Sequence, residues 1–145
     1  MEQLEITITA QGGCRVLDVA GEIDLCTVDQ FGAALEYARI RATPLIADLA
    51  DVEFCDASGL GALITAHNRS RVWGASLGIV ASRPVNRVID LTHTHAILRV
   101  YRNRRRALAA IPLCDVRALP ARADRVAADP GATDADPRAN DPRSI

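Results

Sequence analysis

The feature that most constrains this chain is a repeated change of hydrophobic period. Leu4 to Ala10 reads L-E-I-T-I-T-A, the two-residue alternation of a half-buried strand. Gly12-Gly13 is a turn dipeptide, and Arg15 to Ala20 is apolar again, so the first twenty residues read as a β-hairpin. After Gly21 the period becomes helical. Val28, Phe31, Leu35 and Ala38 are spaced three, four and three, with Thr43-Pro44 as the expected stop. Leu45 to Leu49 is short and almost wholly apolar, which suits a central strand covered on both faces.

The same alternation continues. Leu60, Leu63, Ile64 and His67 fall on one helical face, and Gly74 stands where a helix-ending glycine belongs. Leu77 to Ala81 is another strand. Ser82 is placed to cap a short helix with Pro84 in its first turn and Val85, Val88 and Ile89 on its face. Ala96 to Tyr101 reads as a last strand and Arg104 to Ile111 as a last helix. Strands alternating with helices require parallel crossovers. The expected fold is α/β: a mixed sheet with an N-terminal antiparallel hairpin, then αβαβαβα.

From about Leu113 the apolar period stops. Four of the seven prolines fall after position 119, among Ala, Asp and Arg. Residues 1–113 are therefore expected to form one domain and 114–145 a disordered tail. Half the chain is apolar but only 3% is aromatic, so the core must be built from Leu, Ile, Val and Ala.

Formal net charge is −1, which argues against a general nucleic-acid binder. The cationic side chains are all arginine, so a P-loop, which needs a lysine, is excluded, and no G-x-G-x-x-G fingerprint occurs. Cys14, Cys26, Cys55 and Cys114 show no CxxC pair. No signal-peptide pattern opens the chain, and no apolar run reaches the ~18 residues that a membrane span needs. The expectation is a cytoplasmic protein with reduced thiols, no cofactor, no metal and no membrane partner. His93 and His95 read as an exposed loop, and Arg99, Arg102, Arg104, Arg105 and Arg106 as a solvated face.

Chemistry concentrates in Phe54 to Leu63, F-C-D-A-S-G-L-G-A-L. Ser58 lacks the G-x-S-x-G elbow of a hydrolase and has no paired base, so an enzyme is not expected. Two readings of Ser58 remain open on the residues alone. Serine between a strand and a helix is a favoured N-cap. A helix N-terminus also stabilises a phosphate, and Gly59 and Gly61 leave bare backbone for another protein to approach.

The chain resembles the STAS family, and within it the anti-sigma factor antagonists. Gly21 to Asp24 (GEID) is similar to the first loop motif, and Phe54 to Leu63 to the D-S-S-G-L-G signature. Gly74 to Val80 and Val85 to Thr92 are similar to the following strand and short helix. The resemblance covers roughly residues 1–112. It implies binding to an anti-sigma factor with an ATP-binding kinase fold, which phosphorylates the second signature serine and so ends the complex. A serine phosphatase resets the switch. On this chain the acceptor is Ser58, with Asp56 as the signature aspartate and Asp24 as a loop aspartate near it. Asp24 and Asp56 to Gly61, with Ala57, Gly59 and Leu60 among them, form the implied partner-binding stretch. Two departures stand out: Ala57 replaces the first signature serine, and Thr92 to His95 (THTH) replaces a usual glycine. The alternative is a STAS scaffold that docks constitutively, as a lipid ABC transporter subunit would.

Overall fold

Gly12 and Gly13 both take left-handed dihedrals (φ 56° and 81°), which few other residues tolerate in succession. This two-residue turn matches the natural twist of a hairpin. It joins β1 (Glu5–Gln11) to β2 (Cys14–Ile23), paired antiparallel with Gln11 opposite Cys14. The computed structural model describes residues 4–111; the expected tail lies outside these described residues.

The remaining elements are α1 (Val28–Ala38), β3 (Leu45–Cys55), α2 (Ala57–Val72), β4 (Leu77–Ala81), α3 (Arg83–Thr92), β5 (Arg99–Tyr101) and α4 (Arg104–Ala110). Strand order in the sheet is the order in sequence, and β2 to β5 are parallel. Each crossover therefore steps the same way across the sheet. With right-handed crossovers, helices that step the same way must share one face.

The core records this division. Leu17 and Val19 of β2, Leu45, Ala47 and Leu49 of β3, and Leu77 and Ile79 of β4 point to one side. There they meet Phe31 and Leu35 of α1, Leu60 and Leu63 of α2, and Val85 and Ile89 of α3. The alternate residues Cys14, Val16, Ile46 and Val80 face the other side, where α4 brings Ala107 and is followed by Ile111. A Cβ at Gly78 would come within 2.9 Å of Ile111 Cδ1 and 3.0 Å of Tyr101 Cε2, so only a bare backbone lets this end of the chain seat.

Four sequence expectations are corrected. β2 continues three residues past Ala20, through register shifts and a left-handed Gly21 that re-aim its end. β3 continues to Cys55 because that extension of β2 supplies a partner, with Ile23 opposite Cys55. α1 ends at Ala38, well before Thr43-Pro44. Arg39 leaves the helix in extended conformation, its side chain only 7% exposed, paired with Glu36 at 2.6 Å and lying 4.2 Å over the Trp73 ring. The last strand begins at Arg99 because Thr94–Ala96 forms a short 3₁₀ turn. Gly74 (φ 71°) follows α2 as expected, and Ser82 Oγ caps α3 by accepting from Val85 N.

Candidate functional site

The site lies where β2 and β3 end side by side. Ile23 pairs with Cys55, and the next amide, Asp56 N, donates to Ile23 O at 3.2 Å. The two loops that follow therefore leave the same edge of the sheet together.

The first loop is closed on itself. Asp24 Oδ1 accepts from Cys26 N at 2.9 Å and from Thr27 N at 3.2 Å. The buried Thr27 hydroxyl donates to Glu22 O at 2.7 Å and accepts from Asp24 N at 3.0 Å. Asp24 thus has its carboxylate engaged by its own turn. No hydrogen bond joins it to Ser58 among the described residues. The tight turn presents Leu25, which is 79% exposed.

The second loop is a helix start with one organising group. Asp56 is the N-cap of α2, in extended conformation, and its Oδ1 accepts from Ser58 N at 2.9 Å and Gly59 N at 3.4 Å. The same oxygen accepts from the Ser58 hydroxyl at 2.5 Å. Ser58 is therefore not the cap, one of the two sequence readings. It is the second helical residue, half-buried, with its hydroxyl held by the cap. The cap matters more than usual here, because α2 buries only two large apolar side chains, Leu60 and Leu63, beside Gly59, Ala66 and Ser70. A good N-cap contributes about 1 kcal/mol, comparable with half of one buried leucine.

Ala57 and Gly61 face solvent, whereas Gly59 and Leu60 are buried. A Cβ at Gly59 would lie 2.7 Å from both Cys55 Sγ and Ile23 Cγ2, so this glycine is there to let α2 close onto the sheet. A Cβ at Gly61 would meet nothing within 4 Å. Gly61 instead opens into a groove of about 400 Å³ between α1 and α2. Ser58 of α2 and Gly32 of α1 are among the residues that line it. Glu36 and Arg69 line it as well, joined by a 2.8 Å ion pair.

Burial, with the Asp56 charge added, pushes the Cys55 thiol up to about 11, so it stays protonated and inert near neutrality. His95 Nε2 contacts Asp90 Oδ1 at the surface, and His93 takes the left-handed C-cap of α3 (φ 57°), the conformation glycine adopts most easily. Among the described residues no His, Cys, Asp and Glu groups are placed to hold a metal ion, and no helix is long and apolar enough to cross a membrane. Sequence reasoning did not anticipate Leu25 or the 47%-exposed Phe54, two apolar side chains from the segments flanking Asp24 and Asp56. A large apolar residue directly beside the GEID motif was the available signal. Nor did it anticipate Arg104, expected on a solvated face. Its Nε donates to Asp48 Oδ2 at 2.8 Å, and its other end meets Asp18.

The family profile described as "Mlab, STAS domain" matches residues 6–108. An anti-sigma F factor antagonist from Paenibacillus polymyxa is 24% identical over 111 residues, 74% of this chain and 95% of that protein. The crystal structure of an anti-sigma factor antagonist from Mycobacterium paratuberculosis superposes with a TM-score of 0.67 at 26% identity, covering 74% of this chain and 93% of the other. The anti-sigma factor antagonist SpoIIAA in its unphosphorylated form superposes with a TM-score of 0.54 at 16% identity, over 72% and 93% of the two chains.

Proposed function

This chain belongs to the STAS domain family, and on that footing we propose that it is an anti-sigma factor antagonist switched by phosphorylation of Ser58. Unmodified, it binds an anti-sigma factor and so frees a sigma factor. That partner carries an ATP-binding kinase fold and phosphorylates Ser58; a serine phosphatase restores the hydroxyl. The chain itself needs no cofactor, touches no nucleic acid and works in the cytoplasm. The named antagonists among its relatives support this reading. The observation that carries it is the placement of Ser58: it lines the α1–α2 groove from the first turn of a helix, half-buried, with a carboxylate as its hydroxyl's bonded partner.

Asp24, Ala57, Ser58 and Gly61 form the contact face. Asp56, Gly59 and Leu60 shape it from beneath, and Leu25 and Phe54 add apolar area at its margin. A phosphate adds about −1.5 to −2 charges at pH 7. At an effective dielectric of about 20, two unit charges 4 Å apart repel by about 4 kcal/mol. Turning a 99:1 complex into 1:99 takes about 5.5 kcal/mol. A phosphate sealed beside Asp56 under a partner, with its own loss of water added, reaches that figure without refolding the domain.

The test is phosphate mapping. Incubation with the captured partner and ATP should label Ser58 and leave Ser58→Ala unlabelled; label spread over other residues would sink the assignment. The second reading is a STAS scaffold that docks constitutively, as a transporter subunit would. It is favoured by the name of the matching profile, which is a Mlab domain. It requires stable binding to a partner with no phosphate transfer at all.

A further inference from the structure

A single carboxylate oxygen organises the entrance to α2. Asp56 Oδ1 accepts three donors: the amides of Ser58 and Gly59 and the hydroxyl of Ser58, the last at the shortest distance, 2.5 Å. The backbone around it is fixed. Asp56 N is bonded to Ile23 O, and Gly59 is pressed between Cys55 and Ile23 with no space to shift. Any adjustment at this point must therefore come from side chains.

Phosphorylation removes one of the three donors. The Oγ–H bond is replaced by an Oγ–P bond as the terminal P–O bond of ATP breaks, ADP leaves and the hydroxyl proton passes to water. Oδ1 then faces a dianion where it had a donor. Phosphate and carboxylate now compete for the same two amides. The phosphate has three acceptor oxygens and nearly twice the charge, and the positive end of a helix favours the stronger anion.

We propose that phosphorylation of Ser58 passes the capping of α2 from Asp56 to the phosphate, and that the displaced Asp56 carboxylate turns outward onto the docking face. This rests on Ser58 being the modified residue and deepens how that modification acts. The switch then adds two anionic groups to the face for one covalent event, and the fold keeps its helix cap in both states. It also assigns Asp56 a positioning role that is present in the unmodified form and absent from the modified one.

The test is a four-protein cycle on the full chain: parent and Asp56→Ala, each with serine or with phosphoserine placed at 58 during synthesis by codon reassignment. No kinase or partner is needed, so this experiment can fail while Ser58 remains the acceptor, and phosphate mapping can fail while this succeeds. Urea unfolding reads the result. In the unmodified protein Asp56→Ala should raise the unfolding constant about fivefold, the ordinary value of a lost N-cap. In the phosphorylated protein the same change should alter it less than twofold. An increase of twofold or more there, or one below twofold in the unmodified protein, would overturn the exchange. A structure of the phosphorylated parent provides a second readout that needs no variant. Phosphate oxygens within hydrogen-bond distance of Ser58 N and Gly59 N, with Asp56 turned away, are expected. Asp56 still bonded to both amides would refute the proposal.

Discussion

Asp48 Oδ2 accepts the Nε–H of Arg104 at 2.8 Å, a contact across 56 positions of sequence. Asp48 stands opposite Asp18 on the adjacent parallel strand, and Arg104, at the start of α4, bridges the pair. Two aspartates side by side on one face of a sheet repel each other, so the arginine between them offsets that repulsion and ties α4 to the strands beneath it.

Arg104→Ala should therefore cost about 1–3 kcal/mol at pH 7, because it leaves the largely buried Asp48 beside an uncompensated neighbour. The loss should shrink in acid. Burial first, then the charges of Asp48 and Asp51, already hold the Asp18 carboxyl above its ordinary 3.8, against the pull of Arg104. Removing Arg104 raises it further. The folded form then binds a proton that the unfolded chain has released, so the penalty develops as pH rises from about 3.8 through the folded value and is absent below. Urea melts at pH 7 and pH 4 decide it; an equal loss at both would show that Arg104 acts by packing alone.

Gly59→Ala should destabilise the domain by about 1–3 kcal/mol, since its new methyl meets Cys55 Sγ and Ile23 Cγ2 at 2.7 Å. Gly61→Ala two residues on meets nothing and should be neutral or gain up to about 1 kcal/mol from helix propensity. The pair separates packing from docking. Thermal melts should order them Gly61→Ala ≥ parent > Gly59→Ala, while partner affinity should fall in both.

Ser58→Asp should melt within about 1 kcal/mol of the parent, because an acid in the first turn of a helix is favoured and Asp56 still supplies the cap. Partner binding should weaken at least about tenfold, or about 1.4 kcal/mol. Ser58→Ala should bind and resist release by ATP. Calorimetry with the purified partner measures all three; an acidic variant that binds as tightly as the parent would favour the constitutive scaffold.

Glu36 links the two helices that border the groove. Burial alone would push its carboxyl up, yet Arg39 and Arg69 hold it below the usual 4.5. The unfolded chain therefore binds the proton more readily, and stability from these pairs is complete above pH 4.5 and lost as pH falls through the folded value. The side chain is 40% exposed, so the contribution is modest, under about 1 kcal/mol. Glu36→Gln should flatten the stability curve below pH 4.5 and leave its shape above pH 6 unchanged; an unaltered acid limb would remove Glu36 as the cause.

Local chemistry was legible and tertiary chemistry was not. Ser82 as a cap, Gly74 after α2 and the Gly12-Gly13 turn each depend on dihedrals or bonds within a few residues, and each was read from the sequence. The lengths of β2 and β3 were not, since each strand extends only because the other does. The early end of α1 depends on Trp73, 34 positions beyond Arg39. At the candidate site, the sequence located Asp56 and Ser58 but offered Ser58 as the cap, where the structure has Asp56. The difference is an offset of two residues: Asp56 takes the extended conformation a cap needs, and Ser58 already lies inside the helix. Arg104 looked like one more exposed arginine because the two acids that hold it come from strands far upstream.

The seating of Ile111 over Gly78 bears on how the molecule is made. Three helices close one face of the sheet as they emerge, but among the described residues the opposite face, with Cys14, Val16, Ile46 and Val80, is covered only by Arg104 to Ile111. During translation the nascent chain therefore passes through an interval in which its switch helix is complete and half of its sheet is bare. An apolar face left open on the ribosome invites aggregation. The seven-residue helix α4 thus acts as a closing signal: among the described residues it is the segment whose delivery makes the sheet safe to release.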